Sequence, residues 1–139
     1  MAAKILVVDD EPAMCDLVGQ ILSAAGYEVT SFTRVEQVPE LIAHGVTFDL
    51  AVLDVVMPHM TGDELARMLR RNDPDAKVLF LTGYANALFQ ARPVLWQGEA
   101  FLEKPFTAKG LEEAVSLMLY GHLAPTRSAA EAAERRSEQ

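Results

Sequence analysis

An α/β fold, a doubly wound five-stranded parallel sheet with helices on both faces, is what this sequence predicts, and three observations carry the prediction. Short β-branched apolar runs alternate with longer segments of helical period, the order of strand and crossover helix in a parallel sheet. Several of the runs are apolar almost throughout, as strands covered on both faces are. The 139 residues suffice for one well-buried domain and are too few for two ordinary ones.

The five strands are expected at KILVV (4–8), EVTSF (28–32), LAVLD (50–54), KVLFLT (77–82) and AFLE (100–103). Between the first two, PAMCDLVGQILSAAG (12–26) aligns Leu17, Val18, Ile21, Leu22 and Ala25 on one stripe, with Pro12 at the helix start and Gly26 past its end. VEQVPELIAHG (35–45) is a weaker helix that Pro39 should break early, and GDELARMLRRNDP (62–74) a stronger one that residues 72–74 terminate. YANALFQARPVLWQG (84–98) should hold a fourth helix, ended or kinked by Pro93 and unusually apolar at Leu88, Phe89, Val94, Leu95 and Trp96. TAKGLEEAVSLMLYGHL (107–123) supplies a fifth, capped by Thr107, with Leu111, Ala114, Val115, Met118 and Leu119 facing inward. One domain is therefore expected over 1–123. The segment 124–139 has no large apolar residue and reads as a C-terminal tail or linker remnant.

A net charge of −8 and a pI near 4.8 argue against contact with nucleic acid or an anionic membrane, because the field repels phosphates. The single cysteine, Cys15, excludes an internal disulfide and fits a reducing compartment, so a cytoplasmic location is expected and Cys15 reads as inert. His44, His59 and His122 lack the clustering of metal ligands and read as surface residues. No cationic segment precedes an apolar stretch of signal-peptide or transmembrane length.

Parallel sheets of this kind bind ligands beyond the carboxyl ends of the strands, where the winding direction switches. Asp9 and Asp10 follow the first strand, Asp54 ends the third, Thr82 ends the fourth, and Lys104 follows the fifth. Successive strand side chains point to opposite faces, so Asp9 and Asp10 can share a pocket only where the strand gives way to its turn. Three carboxylates in one crevice call for a compensating cation. Oxygen ligands without Cys or His suit a hard divalent ion, and an open, watered site suits Mg²⁺ better than Ca²⁺, with Mn²⁺ as a substitute. A metal, an ammonium, a hydroxyl and one further carboxylate form a kit for phosphoryl transfer, in which Asp54 is the best-placed covalent acceptor. Taken singly, each residue has a plainer reading: helix-start acids for Asp9 and Asp10, a turn acid, a strand-end cap, a surface lysine. Their joint register favours the chemical one. Glu11 belongs with the helix start beside Pro12.

Taken together, VVDDEP, LAVLDVVMPHMTGDEL, LFLTGYA and FLEKPF resemble the receiver domain of two-component response regulators, in order and spacing over residues 4–123, and in particular the chemotaxis-type single-domain receivers. The resemblance implies a flavodoxin-like sheet in the order 2-1-3-4-5. It implies that Asp54 accepts a phosphoryl group, with Mg²⁺, from a phosphohistidine on a sensor histidine kinase or histidine phosphotransfer protein. Asp10, Asp54 and the Val56 backbone carbonyl would bind the metal directly, and Asp9 through a water. Lys104 and Thr82 would each hold a phosphoryl oxygen, Phe101 would be the switch aromatic although its default is core packing, and the Lys104–Pro105 bond would be cis. Output would pass to a downstream protein from the face of the fourth helix, fifth strand and fifth helix, with a phosphorylation-dependent homodimer as a further outcome. Met14, Leu17, Pro105 and Phe106 would form the kinase-docking patch. Such a protein signals and is not an enzyme beyond its own phosphorylation and dephosphorylation. Val56 and Tyr84 depart from residues that orient an attacking water, which implies slow autodephosphorylation.

Three rivals fare worse. A haloacid dehalogenase-like phosphatase would carry Asp-x-Asp after the first strand and a cap domain. A flavodoxin-like cofactor binder would need a phosphate loop there. A scaffold-only receiver would lack one of the five site residues. A stand-alone receiver and one excised from a hybrid histidine kinase or larger regulator both remain compatible with the sequence.

Overall fold

The computed structural model describes residues 2–83 and 98–121. The expected fourth helix, with Tyr84, Leu88, Phe89, Pro93, Val94, Leu95 and Trp96, lies outside the described residues except for Gly98, as do His122 and the segment 124–139.

Five strands, β1 (Lys4–Val8), β2 (Glu28–Phe32), β3 (Leu50–Asp54), β4 (Val78–Thr82) and β5 (Glu99–Glu103), pair in parallel in the order β2-β1-β3-β4-β5. The apolar runs explain which strands lie inside: β3 and β4 are buried at every position and β1 at all but Lys4, whereas β2 and β5 alternate with exposed residues at the two edges. Because strand side chains alternate, the inner strands feed two cores. Leu6, Val8, Leu53 and Phe80 pack on one face, and Ile5, Val7, Val52 and Leu79 on the other.

Helix α1 (Pro12–Ala24) covers the second face with Cys15, Val18 and Leu22. Here the expected stripe is corrected, since Leu17 is 46% exposed and Ala25 is exposed as well. Counting Cys15 as the small apolar residue it is turns the buried face away from Leu17. Pro39 is the second correction. It does not break a helix but sits in the first turn of α2 (Val38–Ala43), after a 3₁₀ turn at Val35–Gln37. The first turn needs no proline N–H, so the residue begins the helix where it was expected to end it.

Helix α3 (Gly62–Asn72) starts under the Thr61 cap, whose Oγ1 accepts from the Glu64 N–H at 3.1 Å. Acids in its first turn and Arg70 and Arg71 in its last complement the helix dipole. The last helix, α4 (Ala108–Tyr120), is capped by Thr107, which accepts from the Gly110 N–H at 2.9 Å, and closes on Gly121 at φ 76°. Leu111 and Val115 face inward as expected, with Ser116 buried beside them.

Two glycines test the packing. A Cβ on Gly62 would collide with the backbone carbonyl of Asp54, whereas one on Gly19, inside α1, would meet no atom within 4 Å. Gly62→Ala is therefore expected to destabilise the fold by about 2 kcal/mol, and Gly19→Ala to stabilise it by about 0.5–1 kcal/mol. Urea unfolding of the two variants checks both signs.

Candidate functional site

Strand β1 ends at Val8, and the Asp9 N–H still reaches the Phe32 carbonyl at 3.2 Å, so Asp9 is held at the level of the strand ends while Asp10 enters the turn. Asp9 is 1% exposed and Asp10 is exposed. One Asp9 oxygen accepts from the Glu11 N–H at 3.0 Å and the other from Lys104 Nζ at 3.1 Å. Asp54, the last residue of β3, lies in register with Leu81, one residue before Thr82. Its Oδ1 is 3.6 Å from the same Lys104 Nζ. One oxygen each from Asp9, Asp10 and Asp54 falls within 4.8 Å of the other two.

Backbone bonds bring the remaining groups to this rim. Lys104 N–H donates to the Thr82 carbonyl at 2.8 Å, and the Lys104–Pro105 bond is cis. Thr82 is buried, 1% exposed, at the end of β4. After β3 the chain makes a tight turn, with Met60 N–H on the Pro58 carbonyl at 2.8 Å and His59 at φ 71°. It then returns so that Gly62 N–H donates to the Val55 carbonyl at 2.9 Å. Val56 stands 60% exposed at the mouth. Phe101 is exposed at 36% on the edge strand, opposite Phe80, and so lies outside the buried core that is the default for a strand aromatic.

The electrostatics follow from this crowding. Burial, then the Asp9 charge, push the Asp54 carboxyl up to about 7, with Lys104 opposing them and Asp10 adding to the rise. Burial alone would lower the Lys104 ammonium, but its hydrogen bond to Asp9 and the charges of Asp9 and Asp54 leave it above its ordinary value. Fully ionised, the three carboxylates and one ammonium carry a net charge of −2, which one divalent cation balances. An all-oxygen set with one exposed member fits Mg²⁺, which keeps several waters.

The four expected docking residues differ in exposure. Leu17 and Pro105 are exposed, and Met14 and Phe106 are half-buried against the core under α1 and α4. The sequence reading missed two features. A crevice beside Asp10 is lined by Arg34, Glu36, Met57, Pro58 and His59, with His59 Nε2 3.6 Å from Glu36. An ion pair also joins Arg70 to Glu99 at 2.6 Å. No periodicity or motif marks either, because each joins residues distant in sequence.

A family model described as the response regulator receiver domain matches residues 5–116. The response regulator receiver protein CpdR of Brucella abortus (strain 2308) is 34% identical over 116 residues, covering 84% of this chain and 96% of that protein. The sensor kinase CckA of the same organism is 37% identical over 119 residues, which make up 85% of this chain but only 13% of the kinase. The crystal structure of the response regulator TrrA from Thermotoga maritima, in complex with Mg²⁺-BeF, superposes with a TM-score of 0.73 at 32% identity, covering 86% of this chain and 100% of that one.

The raised Asp54 carboxyl predicts an unusual pH profile. Its ordinary value is 3.8 and its folded value about 7, so between them the folded state binds more protons than the unfolded one. Its contribution is therefore fully present below about pH 4, is lost as pH rises toward 7, and is flat above. Asp54→Asn removes that cost. The metal-free variant should be more stable than the parent at about pH 8 by on the order of 2 kcal/mol after solvent screening, and no more stable near pH 4. Thermal unfolding across that range, with Mg²⁺ narrowing the gap, checks the sign.

Proposed function

The chain belongs to the response regulator receiver domain family, and from that premise we propose that Asp54 is the phosphoacceptor of a two-component signalling receiver. The observation that carries this reading is the single Lys104 ammonium placed 3.1 Å from Asp9 and 3.6 Å from Asp54, inside a cluster of three carboxylates. An Asp54 oxygen attacks the phosphorus of a phosphohistidine presented by a sensor histidine kinase or phosphotransfer protein. The P–N bond breaks, and its electron pair leaves with the imidazole nitrogen, which takes up a proton.

Lys104 neutralises one oxygen of the transferring group, and the Thr82 hydroxyl donates to another. Asp10, Asp54 and the Val56 carbonyl would hold Mg²⁺, with Asp9 reaching it through water. When bound, the metal neutralises the charge that otherwise repels an incoming phosphate. The phosphoryl dianion then stabilises whichever conformation lets Thr82 and Lys104 reach it, and Phe101 on the edge strand follows that shift. Output passes to a downstream protein through a face that includes β5 and α4, with phosphorylation-dependent self-association as a further outcome.

The reading holds for a stand-alone receiver and for a receiver module within a hybrid kinase. The match to CpdR along its length favours the first arrangement, and the match to 13% of CckA the second. Among the described residues no helix is long and apolar enough to cross a membrane. A cytoplasmic setting suits a buried free Cys15 and a phosphohistidine donor.

Acetyl phosphate or beryllofluoride with Mg²⁺ should modify Asp54, and Asp54→Asn should abolish the mass gain of one phosphoryl group in intact-protein mass spectrometry. Met14→Asp or Phe106→Asp should slow transfer from the cognate kinase by at least about tenfold while leaving labelling by acetyl phosphate intact. Equal kinase rates would remove the docking patch. The exposed Val56 side chain has no group that orients water, so Val56→Asn should shorten the phosphoryl lifetime by roughly three- to tenfold. A filter assay of label retention measures it.

A further inference from the structure

Resting on the reading of Asp54 as phosphoacceptor, we infer that the Arg70–Glu99 ion pair sets the gap between Lys104 and Asp54, making it a positioning pair for phosphoryl transfer. Arg70 Nη1 lies 2.6 Å from Glu99 Oε2, and their side chains are 14% and 0% exposed. A buried pair of this kind is seldom more stabilising than apolar residues of equal volume, because desolvation offsets its attraction. Its directional hydrogen bond does fix geometry, and geometry is what this location uses.

The pair closes a mechanical circuit through the site. At one end, the backbone of Gly62 is pressed against the Asp54 carbonyl, and Gly62 N–H is bonded to Val55, so the start of α3 is seated on the acceptor. From Gly62 to Arg70 the helix is a rod of about 12 Å. The ion pair passes from Arg70 to Glu99, the first residue of β5. From Glu99 the extended strand carries about 16 Å to Lys104. Lys104 then faces Asp54 across 3.6 Å, which completes the loop.

Strand β5 needs this restraint more than its neighbours do. It lies at the edge of the sheet and pairs there with β4 alone, so a side-chain tie to α3 supplies a restraint that the inner strands take from a second neighbour. The carboxylates that would hold the metal follow β1 or end β3, strands that do not pair with β5. Loosening the pair should therefore move the lysine while the strands that mount the carboxylates stay in place.

The test uses the full chain with both charges replaced by apolar residues, Arg70→Met with Glu99→Leu, which removes the two members of the pair together. Phosphorylation by acetyl phosphate at saturating Mg²⁺ should slow about five- to tenfold, with Mg²⁺ affinity by titration calorimetry within about twofold of the parent. The charge-reversed pair, Arg70→Glu with Glu99→Arg, should restore at least roughly half of the lost rate, which a packing role alone does not predict. An unchanged rate in the apolar variant overturns the inference, and so does a parallel loss of Mg²⁺ affinity. Should that variant fail to fold, Arg70→Lys keeps the charge on a shorter arm and should give an intermediate rate, a parental rate overturning the inference. A parent chain that takes up no phosphoryl group defeats the reading of Asp54 itself, whereas a reactive parent matched by its variants defeats only the positioning role.

Discussion

The repulsion among Asp9, Asp10 and Asp54 is the constraint around which the rest of the structure is arranged. Two of the three are nearly sealed from water, at 1% and 7% exposure, so the solvent screens them poorly. Lys104 reaches both of those, and its ammonium is held charged by the contact. It is still one ammonium against three carboxyl groups. The imbalance is stored in the site, and Asp54 expresses it as a carboxyl shifted to about 7.

Holding like charges together takes a rigid mount, and the parallel sheet is that mount. Asp9 follows β1 and Asp54 ends β3, and these strands are hydrogen-bonded neighbours whose side chains feed both cores. Neither acid can retreat without dragging a buried strand, and removing one large core side chain already costs about 2–5 kcal/mol. Lys104 is mounted differently. It follows an edge strand and is secured by a backbone bond to Thr82. The acids are thus fixed by the core, while their counter-charge depends on local restraints.

That difference also explains what could be read from the sequence. The bounds of β1, β2 and β3 were legible to the residue, because β-branched runs between turn residues have few alternatives. The rim residues were legible because strand ends in a parallel sheet share one edge, so Asp9, Asp54, Thr82 and Lys104 could be placed together from spacing alone. Hydrophobicity alone misplaces the α1 face, because it counts Leu17 as core and does not weigh Cys15, the small thiol that fits against the sheet. Pro39 is ambiguous in the sequence because a proline signals a helix break or a helix start according to its position in the turn. Arg70 and Glu99 were invisible: a charged pair 29 residues apart leaves no periodic trace.

The raised Asp54 carboxyl appears at first to oppose the proposed chemistry, because a protonated acid is a poor nucleophile. The opposition is conditional. Near pH 7 the cation-free site holds Asp54 close to the midpoint of its titration, so ionising it fully requires removing the excess negative charge around it. A divalent cation supplies that charge and, by linkage, its binding and the loss of the Asp54 proton favour each other. The same −2 imbalance that would repel a phosphoryl donor therefore makes acceptor activation depend on cation binding. A neutral replacement for either Asp9 or Asp10 would relax Asp54 toward ordinary carboxylate behaviour and weaken that dependence, so the residues that appear redundant beside the acceptor are the ones that make the site conditional.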